Sequence, residues 1–172
     1  QKRRYLRPLF TGEDIWCQGF SEPGAGSDLA ALSTKARLDG GQWIIDGQKV
    51  WTSQAHYSES IFVLVRTEPD APKHQGISLL LVPLDQPGID IRPLADMAGG
   101  EHFCEIFFDG AVTDAEMIIG APGDGWKMGM AILGFERGTA FVGQLERYGT
   151  EYQRLVSVAR ERGQLDDPIV RD

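Results

Sequence analysis

The sequence predicts a mainly β domain, built as an antiparallel barrel or a sandwich of packed sheets, followed by one long α-helix. Three observations carry that expectation. Across residues 15–120 the apolar residues fall in short β-prone runs bounded by glycine, proline and aspartate, and no stretch shows helical apolar spacing. Beyond a loop made by Pro122, Gly123 and Gly125 the period changes: Trp126, Met130, Leu133, Phe141, Leu145, Tyr148, Tyr152, Leu155 and Ala159 fall at steps of three, four or eight. With 172 residues, 42% of them hydrophobic, the chain has room for one ordinary packed core.

Taken in order, Lys2, Arg3, Arg4 and Arg7 form a basic, solvated cluster before Pro8, read as the tail of a helix and its exit loop. A hairpin joins residues 34–38 to 43–46, because Asp39, Gly40 and Gly41 tolerate the positive φ angles of a tight turn. Further strands are expected at 49–52, 61–66 and 77–82, the last inside the longest apolar stretch, 76–83, which reads as a buried strand. Two more runs, 89–92 and 104–108, flank a loop marked by Gly99 and Gly100. Closing these strands into packed sheets or a barrel would satisfy their edges.

The long helix should start near Asp124, whose side chain can cap free amides, and stop near Gly163, a residue suited to the left-handed C-terminal position. An amphipathic helix of that length packs on sister helices. Asp167 before Pro168 then reads as the cap and first residue of another helix. The expected organisation is thus the end of a helical region and a linker over 1–13, a β-domain over 14–122, and the start of a helical domain over 123–172. Neither end reads as a natural domain boundary, so the chain is expected to be a piece of a larger protein.

Composition narrows the function. A formal net charge of -8, with no basic stripe interleaved with aromatics, argues against nucleic acid as a partner. No apolar run approaches the ~20 residues of a membrane-spanning helix, so a cytoplasmic protein is expected. Cys17, Cys104, His56, His74 and His102 lie scattered, without metal-ligand spacing, and read as reduced structural thiols and ordinary histidines.

The segment carrying chemistry is GFSEPGAGSD, residues 19–28. Pro23, Gly24 and Gly26 make a side-chain-poor loop between two hydroxyls, Ser21 and Ser27, where a flat or phosphorylated ligand could approach backbone amides. By itself it is equally a structural turn, since it lacks GxGxxG spacing and no helical crossover surrounds it. In order and spacing, however, Gly19, Phe20, Ser21, Glu22, Gly26, Ser27, Asp28 and Ala31 resemble the first signature of the acyl-CoA dehydrogenase family, with Phe20 in place of a usual aliphatic residue. A second resemblance lies in Gln48, Lys49, Val50, Trp51, Thr52 and Ser53, and a third in residues 105–110 and 120–126.

The resemblance implies an FAD enzyme whose middle β-domain lies beside the isoalloxazine ring and the CoA thioester. It implies that Phe20, Ser21, Gly26, Ser27, Trp51, Thr52 and Ser53 bind flavin, and that Ser27 also contacts substrate. For Trp51 the alternative is a residue that simply fills the core. The implied reaction is α,β-dehydrogenation, in which a carboxylate takes the α proton and the β hydride passes to flavin. In many members the carboxylate lies far downstream; in a subset resembling isovaleryl-CoA and long-chain acyl-CoA dehydrogenases it is a Glu followed by Arg on the first helix after the β-domain. Glu136 and Arg137 stand there, although Gly134 departs from the family's frequent Asp or Asn. Glu136 is therefore the candidate base, expected to be partly desolvated among Leu133, Phe135 and Phe141, with Arg137 holding the base or the CoA portion. The alternatives are an ordinary solvent-facing helix residue for Glu136 and a surface ion pair for Arg137.

Implied partners are an acyl-CoA substrate, an electron-transfer flavoprotein as acceptor, and further subunits in a homo-oligomer or heteromer. Two other readings stay open: a non-catalytic acyl-CoA or flavin-binding subunit of a heteromeric complex, and an oxidase of the same fold.

Overall fold

The computed structural model describes residues 2–139 and 142–171, which fall into two compact units, Gln1–Gly129 and Met130–Asp172. The first holds the strands. It opens with α1, Lys2–Thr11, which carries Pro8 inside it. The expected exit at Pro8 is therefore corrected: proline lacks an amide to donate, but its carbonyl still accepts from the Glu13 and Asp14 amides at 2.9 and 3.2 Å. The turn ends instead at Gly12, at φ 72°.

Eight strands form one sheet: β1 Trp16–Gly19, β2 Lys35–Asp39, β3 Gln42–Ser53, β4 Ser60–Arg66, β5 Ile77–Pro83, β6 Ile89–Leu94, β7 Phe103–Asp114 and β8 Ile118–Ile119. The lateral order is β6-β7-β3-β2-β4-β5-β8, and β1 pairs with β4 in parallel. The hairpin stands where expected: Asp39 pairs with Gln42 across Gly40 and Gly41, at φ 56° and 85°.

Two expected strands, 43–46 and 49–52, are one continuous strand, β3. The chain passes Gly47 in extended but positive-φ geometry (147°), where an added Cβ would sit 2.6 Å from the Thr34 Cα. Likewise β7 does not end at Phe108. Gly110, at φ 70°, absorbs a register shift opposite Ile45 and Asp46, and pairing resumes to Asp114. Pro93 sits in β6, which pairs only with β7 and so tolerates a missing donor.

Side chains from β1 to β7 make the core of this unit, with Ile45, Ile61, Val63, Val65, Leu80, Val82 and Ile106 fully buried. β5 is buried from Ile77 to Val82, and the one polar residue in that run, Ser78, has its hydroxyl 2.7 Å from that of Thr67. Cys17 and Cys104 are free buried thiols, and burial pushes Cys17 up to about 12. His56 Nδ1 lies 3.1 Å from the Cys104 sulfur.

α2, Gly125–Thr139, begins in the first unit and ends in the second. Asp124 precedes it as expected, its carbonyl accepting the Met128 amide at 3.1 Å. Its carboxylate, however, accepts backwards from the Ala121 amide at 3.0 Å rather than from the helix. Where one helix was expected, α2 is followed by α3, Val142–Glu161; Phe141 lies outside the described residues.

α3 closes as the sequence predicts. Gly163, at φ 63°, donates to the Arg160 carbonyl and Gln164 donates to the Ala159 carbonyl, so two terminal carbonyls are satisfied. Asp167 then caps α4, Pro168–Arg171, accepting the Ile169 amide at 2.9 Å. Leu145, Tyr148, Tyr152 and Leu155 form an exposed apolar stripe on α3. Among the described residues no helix is long and apolar enough to cross a membrane.

Candidate functional site

The loop after β1 and the second half of β3 are tied together by a buried ion pair. Lys49 is fully buried on β3, and its Nζ donates to Glu22 Oε1 at 2.8 Å and to the Phe20 carbonyl at 3.1 Å. Glu22 in turn accepts the Thr34 amide on Oε1 and, on Oε2, both the amide and the hydroxyl of Ser33, at 2.6 to 2.9 Å. Every polar atom of the pair thus has a partner, the condition under which burying charge is tolerable.

The two groups pull in opposite senses. Burial alone would raise the Glu22 carboxyl, but the Lys49 charge, its hydrogen bond, and those from Ser33 and Thr34 outweigh it and hold the group well below the carboxylate range. Burial pushes the Lys49 ammonium down, with Glu22 opposing. Geometry favours the charged pair, since the Lys49 Nζ meets only acceptors, Glu22 Oε1 and the Phe20 carbonyl, while the Glu22 oxygens meet only donors.

The loop itself is a tight turn. Glu22 and Ala25 exchange amide-carbonyl hydrogen bonds, both at 3.0 Å, across Pro23 and Gly24. At Gly24 and Gly26 an added Cβ would meet nothing within 4 Å, so the loop presents bare backbone to open space. Ser27 and Asp28 are exposed, and Asp28 pairs with Lys73. Phe20 does not face that space: it is buried, edge-on to Phe62 with ring centroids 5.9 Å apart, so its contribution to any ligand is made through its backbone. Ser21 is half-buried, and its carbonyl accepts the Val50 amide at 2.9 Å.

That last hydrogen bond takes Val50 out of the ladder. Lys49 pairs with Ile106 and Thr52 with Cys104, so β3 contains one more residue than its partner between those points. The burial pattern records the bulge: Lys49 and Val50 are both buried, whereas strict alternation would place one outside. Trp51 absorbs the excess at φ 60°, a conformation costing a bulky residue on the order of 1–3 kcal/mol. Its indole is 63% exposed, edge-on to Phe103, so it does not fill the core. Next to it, Thr52 is buried and its hydroxyl has no partner. Ser53 is exposed. Among the described residues, Trp51 and Gln54 are the two non-glycine residues with positive φ, and both sit at this end of β3.

These two joined segments therefore carry an exposed indole face, an unpartnered buried hydroxyl and a side-chain-free loop, a set that suits a flat ring with polar edges. Ser21, Gly26, Ser27, Trp51, Thr52 and Ser53 belong to these two joined segments. The sequence did not disclose the Lys49–Glu22 pair; a lysine opening the β-prone run 49–52 was its only signal.

Glu136 and Arg137 lie on α2 in the second unit, and both are exposed. The expected partial desolvation of Glu136 is corrected, because Phe135 is itself 73% exposed, Leu133 is only half-buried, and Phe141 lies outside the described residues. No group of three or more His, Cys, Asp or Glu side chains that could hold a metal occurs among the described residues.

Comparison with known proteins follows the same segments. The family described as "Acyl-CoA dehydrogenase, middle domain" matches residues 17–111, more than half of the chain. Acyl-CoA dehydrogenase IpdE1 of Mycobacterium tuberculosis is 54% identical over all of this chain and 45% of its own length. A solved structure named Tcur3481-Tcur3483 steroid ACAD superposes at TM-score 0.89 with 37% identity, covering 99% of this chain and 44% of that one. The ChsE4-ChsE5 complex from Mycobacterium tuberculosis gives TM-score 0.72 and 36% identity over 78% of this chain and 34% of that one. The chain spans somewhat under half the length of the IpdE1 relatives of Mycobacterium tuberculosis and Mycolicibacterium smegmatis that it matches.

Proposed function

The chain belongs to the acyl-CoA dehydrogenase family, and from that premise we propose that the protein it comes from oxidises an acyl-CoA thioester at its α,β bond with FAD. In this reading residues 14–122 are the middle β-domain and 123–172 begin the helical domain. The observation that carries it is the bulge on β3, which turns Trp51 outward in a strained conformation beside the unpartnered Thr52 hydroxyl. Strain of this kind persists where the surroundings over-determine it, commonly at ligand sites.

The residues fit the cofactor. Trp51 would offer its indole to the ring, Thr52 and Ser53 their hydroxyls to its polar edge, and the bare backbone at Gly26 would admit it closely. Bound flavin supplies the hydride acceptor for the β carbon. Ser27, exposed at the end of the loop, would hold the thioester. Glu136 would accept the α proton and Arg137 would orient it or the CoA portion. Electrons would then leave to an electron-transfer flavoprotein, in a cytoplasmic oligomer.

Because one similar structure is named as a steroid enzyme, steroid-derived thioesters belong beside short, branched and long ones in the test. Full-length protein is mixed anaerobically with each ester and flavin absorbance is followed. Bleaching in the wild type, lost in Glu136→Gln with flavin retained, is the expected result. Bleaching that survives in Glu136→Gln moves the base to a downstream carboxylate. No bleaching by any ester favours a non-catalytic partner of a heteromeric complex, a reading supported by the similarity to the ChsE4-ChsE5 complex.

A further inference from the structure

A buried ion pair is a poor choice for stability alone. Desolvating both charges offsets most of their attraction, and apolar pairs of similar volume often serve as well or better. What the ion pair adds is direction. Lys49 Nζ points at two named oxygens, on Phe20 and Glu22, and Glu22 reaches on to the Ser33 and Thr34 amides. These bonds fix both ends of the loop that follows β1 against a single residue of β3, two positions before Trp51.

The bulge begins at that same residue. Immediately after Lys49 the ladder loses register, and Val50 donates to Ser21 on the loop instead of to β7. Residues 49 and 50 are therefore both held by the loop, and the surplus of chain falls on Trp51, at φ 60°. A free strand would shed that strain by moving the surplus residue elsewhere or by letting Trp51 relax to a β conformation.

We propose that Lys49 and Glu22 are positioning residues that hold the β3 bulge in place and so aim the Trp51 indole at the flavin ring. The proposal rests on the reading of Trp51 as a flavin-facing residue. It assigns the pair no contact with flavin or substrate; the pair acts through the backbone of Trp51.

A double-mutant cycle in the full-length flavoprotein tests it. Glu22→Met and Lys49→Met are combined, since Lys49→Met alone would strand a buried carboxylate. The combined change is made with Trp51 present and with Trp51→Gly, a residue at ease at φ 60°. Flavin dissociation constant and the circular dichroism of the bound flavin are read for all four proteins, with thermal stability alongside. With Trp51 present, the apolar pair should weaken flavin binding by about tenfold and change the flavin dichroism while the melting temperature holds; in Trp51→Gly the same change should have little further effect. Equal effects in both backgrounds, or none with Trp51 present, would overturn the positioning role. Trp51→Gly by itself keeps the two readings apart: if it leaves flavin affinity and dichroism untouched, the flavin-facing assignment fails. If the apolar pair does not fold, Glu22→Gln combined with Lys49→Met, which keeps a side-chain acceptor near the Ser33 and Thr34 amides and leaves no buried charge, is carried through the same cycle with the same criteria.

Discussion

Glu22 concentrates more of the local energetics than any residue of the loop, because four donors converge on its two oxygens inside the protein. Its carboxyl is held at about 2, against an ordinary 4.5. A depressed carboxyl binds protons more readily unfolded than folded, so its contribution is complete above about pH 4.5 and is lost as pH falls towards 2. Thermal melts across that window should show falling stability in the wild type and a flatter profile in Glu22→Gln. Removing one partner outright, in Glu22→Ala, should cost about 3–5 kcal/mol by chemical denaturation. Trp51 behaves in the opposite sense. Its indole is mostly exposed and its backbone strained, so Trp51→Gly should change ligand-free stability by no more than about 1 kcal/mol, despite deleting the largest of side chains. A loss of 3 kcal/mol or more, as core tryptophans give, would show that the residue is structural after all.

At the scale of elements, the strands end and bend where glycines permit it, and this decides what was readable beforehand. The Gly40-Gly41 hairpin was legible because turn chemistry and flanking alternation agree there. The end of α3 was legible for the same reason: Gly163 sits at φ 63°, and Gly163→Ala should cost about 1 kcal/mol, visible as a lowered helical melt. β3 and β7 were read short, since Gly47 and Gly110 look like terminators in a one-dimensional pattern, whereas pairing in three dimensions carries the chain through them, Gly47 in register opposite Phe108 and Gly110 as a bulge. α1 was read short at Pro8 on the same logic. β1 has four residues of mixed polarity and is defined by its parallel partner β4, information that no local window contains. The site followed the same division. Its segments came from resemblance, residue by residue, but that Trp51 turns outward depends on an extra residue in β3, and periodicity cannot reveal an extra residue without its partner strand.

For the molecule as a whole, the two units differ in how completely they bury what they carry. The first has a continuous core from β1 to β7. In the second, the stripe of Leu145, Tyr148, Tyr152 and Leu155 faces solvent, and an amphipathic helix of α3's length draws its stability from the surface it covers. The relatives are more than twice as long as this chain, so the proposed flavin flank, all of it in the first unit, would be one wall of a larger site. A ligand held on one wall forfeits the contacts of the others while still losing its freedom to tumble. The 172-residue chain alone should therefore bind FAD about 100-fold more weakly than the full-length protein, or worse. It should also self-associate with rising concentration, and Leu145→Glu with Leu155→Glu should suppress that association without altering the melting of the β unit. Flavin fluorescence titration and sedimentation read the two effects separately. Tight, stoichiometric FAD on the isolated chain would mean that Trp51, Thr52 and the glycine loop form a complete site by themselves.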